Sequence, residues 1–458
     1  MTTGLVRIDA LGAEGEYRPH NREVLRSASG MAVAELSIVP SLYVSRTLRA
    51  QRKVRPLPVA HRRAALVKAA DLFAAGVVAG LDHDDYIRLA GKLSGLPITV
   101  IRAGAANVTH GVASAFDAVR PARPTGAVAD WRDEATRTGS AVWVRRGEVF
   151  GVLAAGNGPA IHALWPQALA LGYRVAVRPS RREPFTAHRL IHALRQAGFR
   201  AGDVTYLPTD HGGADEIIRS ADLAMAYGGQ DVADKYGSDA TVFVNGPGRT
   251  KILVTADQDW REHLENIVDS IAGLGGTACV NATAVLYEGD PAALASAIAE
   301  RLSAIEPLPS DDERAILPTQ TLDNACKLAN YLATKAAGTT PLLGADQVVA
   351  RLDDGSAALR PALHLMDHPD PGKLNVELPF PCVWVAPWSR ADGMDPLRNS
   401  LVLKAITADE NFLDDLIAEP TIANVYCGHR PSYFAAPGMP HDGFLADFLM
   451  RNKGFIRD

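Results

Sequence analysis

From Val149 onward the chain alternates short apolar runs with helix-patterned ones. VFGVLAA, PAIHALWPQALALG, RVAVRPS, FTAHRLIHALRQAG and DVTYLP follow one another with only brief turns between them. Strands this uniformly apolar fit a parallel sheet covered on both faces, with right-handed helical crossovers joining its strands. The alternation continues through GGADEIIRSA, LAMAYGG, TVFVNG and KILVTA, so this stretch reads as a Rossmann-like unit. Sheets of this kind bind ligands beyond the carboxyl ends of their strands.

A second alternating block starts near Asp257 with HLENIVDSIAGLGG, ATAVLYE, PAALASAIAERLSAI, TLDNACKLANYLATKA and PCVWVAPW. A chain of 458 residues exceeds what one core supports. The expected fold is α/β with two parallel-sheet lobes. Residues 1–256 form N-terminal helices and the Rossmann-like domain, 257–400 a second domain, and 401–458 a segment packing on the first domain or a neighbouring subunit. Helices are expected over residues 59–96, where Ala65, Leu66, Ala69, Leu72 and Phe73 share one face.

With 22% charged residues and a net charge of −5, nothing suggests nucleic acid or an anionic membrane as a partner. There is neither a basic-then-apolar leader nor a long apolar span, so a cytoplasmic location is expected. Four widely spaced cysteines outside any CxxC arrangement read as reduced thiols.

Four segments are able to carry chemistry. GLGGTACVNAT (273–283) sets Cys279 after a Gly-rich bend, where a carbonyl can approach sulfur while main-chain N–H groups face its oxygen. The plain structural alternative is a small buried thiol. LAAGNGPAIHALWP (153–166) puts Asn157 at a strand's carboxyl end, as an oxyanion donor or simply an Asn-Gly turn. RVAVRPSRREPFTA (174–187) ends a strand in Arg178, Ser180, Arg181 and Arg182, suited to phosphate or to solvent. AYGGQDVADKYG (226–237) adds Gly228 and Gly229, whose backbone can approach a pyrophosphate.

Other residues read as structural. His188 and His192 lie four apart on a helix, but the Glu of a zinc helix is missing, so no metal is expected. His441 beside Asp442 is an acid–base pair or, preferred, a turn capped by aspartate. Cys326, Cys382, Trp384 and Trp388 read as packing.

Taken in order, Asn157, the basic-Pro-Ser strand end, the Gly turn and Cys279 resemble the aldehyde dehydrogenase superfamily over residues 59 to 430. VELPFPCVWV, with Glu377, Phe380 and Pro381, loosely matches that family's Glu-x-Phe-Gly-Pro segment. The resemblance implies Cys279 as nucleophile and Asn157, with the Cys279 main-chain N–H, as oxyanion donor. It also implies a nicotinamide cofactor held by Arg178, Ser180, Arg181, Gly228, Gly229 and Glu377, with Glu377 on the nicotinamide ribose.

Three departures refine the expectation. Where hydrolytic members carry a general-base Glu, TVFVNGPGRTKIL offers Val244, Asn245 and Gly246, so release of the acyl group to water is unsupported. Arg181 replaces the usual ribose-binding Glu and Arg178 the usual Lys, which suits the 2′-phosphate of NADPH, with NADH as the alternative. Finally, GPGRTK, AYGGQD and ELPFPCVWV look like the fatty-acyl-CoA reductases of bacterial luminescence. The resulting expectation is reduction of an acyl thioester, delivered by CoA or a pantetheinylated carrier protein, to an aldehyde by a homo-oligomer. The rivals are a dehydrogenase oxidising or acylating an aldehyde, and a non-catalytic nucleotide- or carrier-binding relative.

Overall fold

The computed structural model describes residues 5–436 and 438–457. In the first lobe Val149–Leu153 and Arg174–Arg178 are buried along almost their whole length, as strands covered on both faces must be. Val242–Asn245, Leu223–Tyr227, Val149–Leu153, Arg174–Arg178 and Val204–Tyr206 lie side by side in that order, all parallel. Ala10–Gly12 and Gly15–Tyr17 extend the sheet antiparallel at one edge. The chain builds outward from Val149–Leu153 on one side and then returns to build the other. Strand order therefore reverses between Val149–Leu153 and Leu223–Tyr227, which opens a crevice at their carboxyl ends.

The second lobe repeats the logic. Its sheet runs Thr340–Leu343, Ala362–Leu365, Cys382–Trp388, Ala282–Glu288, Thr250–Val254, Leu403–Ile406, Val425–Cys427, and only Thr340–Leu343 is antiparallel. This moves both expected boundaries. Thr250–Val254 was grouped with residues 1–256 but bonds into the second sheet, as do two strands of the 401–458 segment. Local patterning cannot tell which of two parallel sheets a buried strand joins, because both demand the same residues.

The last described elements lie against the first lobe. Leu445–Leu449 packs beside Pro166–Leu171, and Met450–Phe455 pairs antiparallel with Ser140–Arg145 in a two-stranded ribbon. The helices Val59–Ala75 and His83–Ser94 form as their periodicity requires, the second capped by Asp82, which accepts from Asp85 N at 2.7 Å. Five short strands before residue 40 went unanticipated. Three to six residues are too few for alternation to declare itself. No helix among the described residues is long and apolar enough to cross a membrane.

Candidate active site

The helix Leu264–Ala272 ends in a bend where Leu274, Gly275 and Gly276 take φ of 53°, 76° and 63°. Left-handed backbone costs a leucine about 1 to 2 kcal/mol, so the bend must be held. Asn281 holds it: its amide donates to Gly273 O at 2.7 Å and Ser270 O at 3.1 Å, while its Oδ1 accepts from Ala278 N at 2.9 Å. Cys279 follows immediately. Gly248 presses on it from the turn that precedes Thr250–Val254: a Cβ there would lie 1.9 Å from the Cys279 carbonyl oxygen. Thr250 Oγ1 donates to that same oxygen at 3.0 Å. The thiol is thus carried on an over-determined loop.

Asn157 reaches this loop from the first lobe, its amide nitrogen 3.5 Å from Thr277 O and its Oδ1 buried without a partner. His441 approaches from the chain's end. Its Nε2 lies 3.5 Å from Cys279 Sγ, and its Nδ1 meets Asp442 Oδ2 at 2.5 Å. Asn424 donates to His441 O at 2.7 Å, and Asp442 Oδ1 accepts from Gly246 N at 3.3 Å. Burial works against protonating His441, yet the Cys279 sulfur and Asp442 carboxylate outweigh it and hold its pKa well above the usual value. Tyr227, at the crevice, donates to Ile161 O at 3.0 Å, and burial, with Asp442 and Cys279 nearby, raises its pKa.

The expected turn at His441 is therefore corrected to a Cys–His–Asp constellation. The short PHDGF segment held the only local signal, the adjacency of His and Asp. With no carboxylate at residues 244–246, His441 is the titratable side chain that faces the Cys279 sulfur. Glu377 accepts from Arg249 N at 2.8 Å, and burial, partly offset by Arg249, raises its pKa.

Around the crevice, Arg178 is largely buried with its Nε unpartnered, and burial and Arg181 lower its pKa. Arg181 Nε sits 2.7 Å from Glu23 Oε2. Ser180 Oγ accepts from Arg182 N at 3.1 Å. Gly228 makes room for Val232, whose Cγ2 would meet an added Cβ at 2.2 Å, whereas Gly229 is nearly open. A crevice at the switch point, unpartnered polar atoms on Asn157, Arg178 and Arg249, and cationic side chains along its rim fit a dinucleotide.

The remaining candidates lie elsewhere. His188 and His192 face each other at 3.2 Å inside the first lobe, both with pKa lowered by burial. No cluster of three metal-ligating side chains occurs among the described residues. Cys382 is buried, its pKa pushed up to about 12, but Cys326, expected to pack, is exposed. Trp384 and Trp388 are core residues.

The model of the aldehyde dehydrogenase family matches residues 17–390. The chain belongs to that family. Among curated proteins it is 24% identical over 213 residues to a probable methylmalonate-semialdehyde/malonate-semialdehyde dehydrogenase [acylating] of Caenorhabditis elegans, covering 44% of this chain and 40% of that protein. It is 27% identical over 148 residues to malonate-semialdehyde dehydrogenase 2 of Geobacillus thermodenitrificans, covering 30% of each. The matches thus span less than half of these relatives. The fold is that of an NAD-dependent aldehyde dehydrogenase from Sinorhizobium meliloti, with a TM-score of 0.83 at 18% identity over 98% of this chain and 94% of the other. It is also that of a P. syringae indole-3-acetaldehyde dehydrogenase solved with NAD+, with a TM-score of 0.82 at 16% identity over 99% and 97%.

Proposed function

We propose that this protein interconverts an aldehyde and an acyl thioester through a covalent bond to Cys279, using a nicotinamide cofactor and releasing the acyl group to a thiol such as CoA. The observation that carries this reading is the Cys279 sulfur facing His441 on Asp442, beside the crevice at the switch point. Family membership and the acylating relative support the aldehyde side. Bound nicotinamide supplies the hydride acceptor for oxidation and the donor for reduction.

The chain's own groups do the rest. The Cys279 thiolate adds to the aldehyde carbon, and Asn157 with the Cys279 N–H donates to the oxygen that gains charge. As that oxygen collapses back to a carbonyl, the C–H bond breaks, its hydrogen leaves as hydride, and the carbon is left as a thioester on Cys279. With the sulfur tied up as a thioester, the charge that held a proton on His441 is gone and the imidazole releases it to solvent; His441 Nε2 then takes the proton of the incoming thiol, whose sulfur attacks the carbonyl, and Cys279 departs as thiolate. Run backwards, the same steps reduce a thioester to an aldehyde. That second reading is favoured by the loop of residues 246–251 and its resemblance to acyl-CoA reductases.

Glu377 would hold the nicotinamide ribose. Arg178, Ser180 and Arg181 would line the adenosine end, with Gly228 and Gly229 near the diphosphate. The unpartnered Arg178 Nε favours NADPH, while the Glu23 carboxylate on Arg181 weighs towards NADH. Homo-oligomerisation belongs to the proposal as well, since the Met450–Phe455 strand has one partner strand and an open outer edge.

The test is a steady-state assay in both directions with CoA present and absent, together with intact mass after exposure to acyl-CoA. Acyl mass on Cys279 and CoA-dependent turnover are expected. Asn157→Ala should slow turnover by about 10² to 10³, and Cys279→Ser should nearly abolish it. Full activity in Cys279→Ser protein sinks the reading.

A further inference from the structure

Arg249 occupies a position that its local sequence does not explain. Its backbone is left-handed, at φ 49°, a conformation that costs an arginine about 1 to 2 kcal/mol and persists only where the surroundings impose it. The residue before it is Gly248, pinned against the Cys279 backbone, and the residue after it is Thr250, which begins the second sheet. The chain therefore crosses from one lobe to the other at this residue, and the left-handed turn swings its side chain over the crevice.

Two contacts fix where the side chain goes. The Arg249 main-chain N–H donates to Glu377 Oε1 at 2.8 Å, and its guanidinium meets the Gln230 side-chain oxygen. Gln230 directly follows Gly229 at the carboxyl end of Leu223–Tyr227, on one wall of the switch-point crevice. Arg249 Nε is buried with no hydrogen-bond partner. A guanidinium presents five donors in a planar fork matched to phosphate oxygens, and an unmet buried donor of that fork costs free energy until something accepts from it. Glu377 meets Arg249 at the main chain and forms no ion pair with its guanidinium among the described residues, and Gln230 is neutral, so donors of the fork remain for an anion.

The geometry points to Arg249 as the residue that holds the diphosphate of the dinucleotide, reaching it from the second lobe across the crevice. This rests on the crevice being the cofactor site. It separates two jobs among the arginines. Arg178 and Arg181 end the neighbouring strand, on the far side of Val149–Leu153, where a 2′-phosphate would distinguish the two cofactors. Arg249 contacts the opposite wall, where NADH and NADPH are chemically identical. Arg249 should therefore strengthen both equally.

The experiment measures dissociation constants for NADH, NADPH, ADP-ribose and adenosine by fluorescence and calorimetry, on unaltered protein and on Arg249→Asn and Arg249→Lys. Asparagine tolerates left-handed backbone, so that variant keeps the turn, and thermal melting checks its fold. The expected result is a loss of roughly tenfold to a hundredfold for NADH, NADPH and ADP-ribose alike in Arg249→Asn. The NADH-to-NADPH ratio and adenosine binding stay unchanged, and Arg249→Lys falls in between. Unchanged affinities, or a shift in the NADH-to-NADPH ratio, overturn the diphosphate role alone. If unaltered protein binds no dinucleotide, the cofactor reading itself fails and this role with it.

Discussion

At the scale of single residues, what distinguishes this site is that His441 is gripped from both sides. Asp442 Oδ2 accepts from Nδ1–H at 2.5 Å and so sets the imidazole to face Cys279 through Nε2 at 3.5 Å. The Cys279 sulfur and the Asp442 carboxylate raise the His441 pKa against burial, so a proton on Nε2 is held 3.5 Å from the sulfur. The stabilising contribution of His441 to the fold is complete below the unfolded-state value and is lost as pH rises through the folded one. His441→Ala should therefore slow alkylation of Cys279 by iodoacetamide at neutral pH by about tenfold or more, and slow acyl transfer by about 10² or more. Asp442→Asn should act in the same direction, with a shifted pH profile. Alkylation rates that match across the three proteins would remove the His441 role. Cys279 and His441 are 162 positions apart, so no spacing rule connects them. The histidine was readable only as the neighbour of an aspartate.

At the scale of elements, the arginine-rich end of Arg174–Arg178 leads into a helix whose start carries a strained charge. Glu183 accepts from Thr186 N at 3.0 Å at the head of Phe185–Ala197, yet it is fully buried and its Oε2 has no partner. Burial pushes its pKa up to about 7. The folded state thus takes up a proton that the unfolded state gives up, and stability falls as pH rises from the ordinary carboxylate range to about 7. Glu183→Gln should flatten that slope. Its melting temperature relative to unaltered protein should be more favourable at pH 8 than at pH 5, and the opposite trend would show that Glu183 is stabilised as a carboxylate. The helix itself was legible from its 3.6-residue pattern, but the burial of its leading acid was not, because a charged residue before a helix reads as a solvated cap.

At the scale of the whole molecule, the site exists only where the two lobes and the returning chain end meet. Asn157 comes from the first lobe, Cys279 from the second, and His441 from the segment that next forms the Leu445–Leu449 helix on the first lobe. The ribbon of Ser140–Arg145 and Met450–Phe455 has one largely exposed strand with an open edge, and a two-stranded ribbon alone is marginal in water. Light scattering should therefore give a multiple of 48.8 kDa. Truncation after Leu449 should lower the mass towards the single chain while leaving circular dichroism nearly unchanged. A truncated chain that keeps the full oligomeric mass would place the contact elsewhere.

The order of strands and helices from Val149, the two-lobed α/β class and the candidacy of Cys279, Asn157 and Glu377 were all determined by local pattern and ordered motifs. Burial on both faces admits one kind of strand, and a tight bend admits few residue types. Which sheet Thr250–Val254 joins, which histidine faces the thiol and where Arg249 points were decided only by tertiary structure. Each depends on segments distant in the chain meeting in space, and a linear pattern carries no record of that meeting.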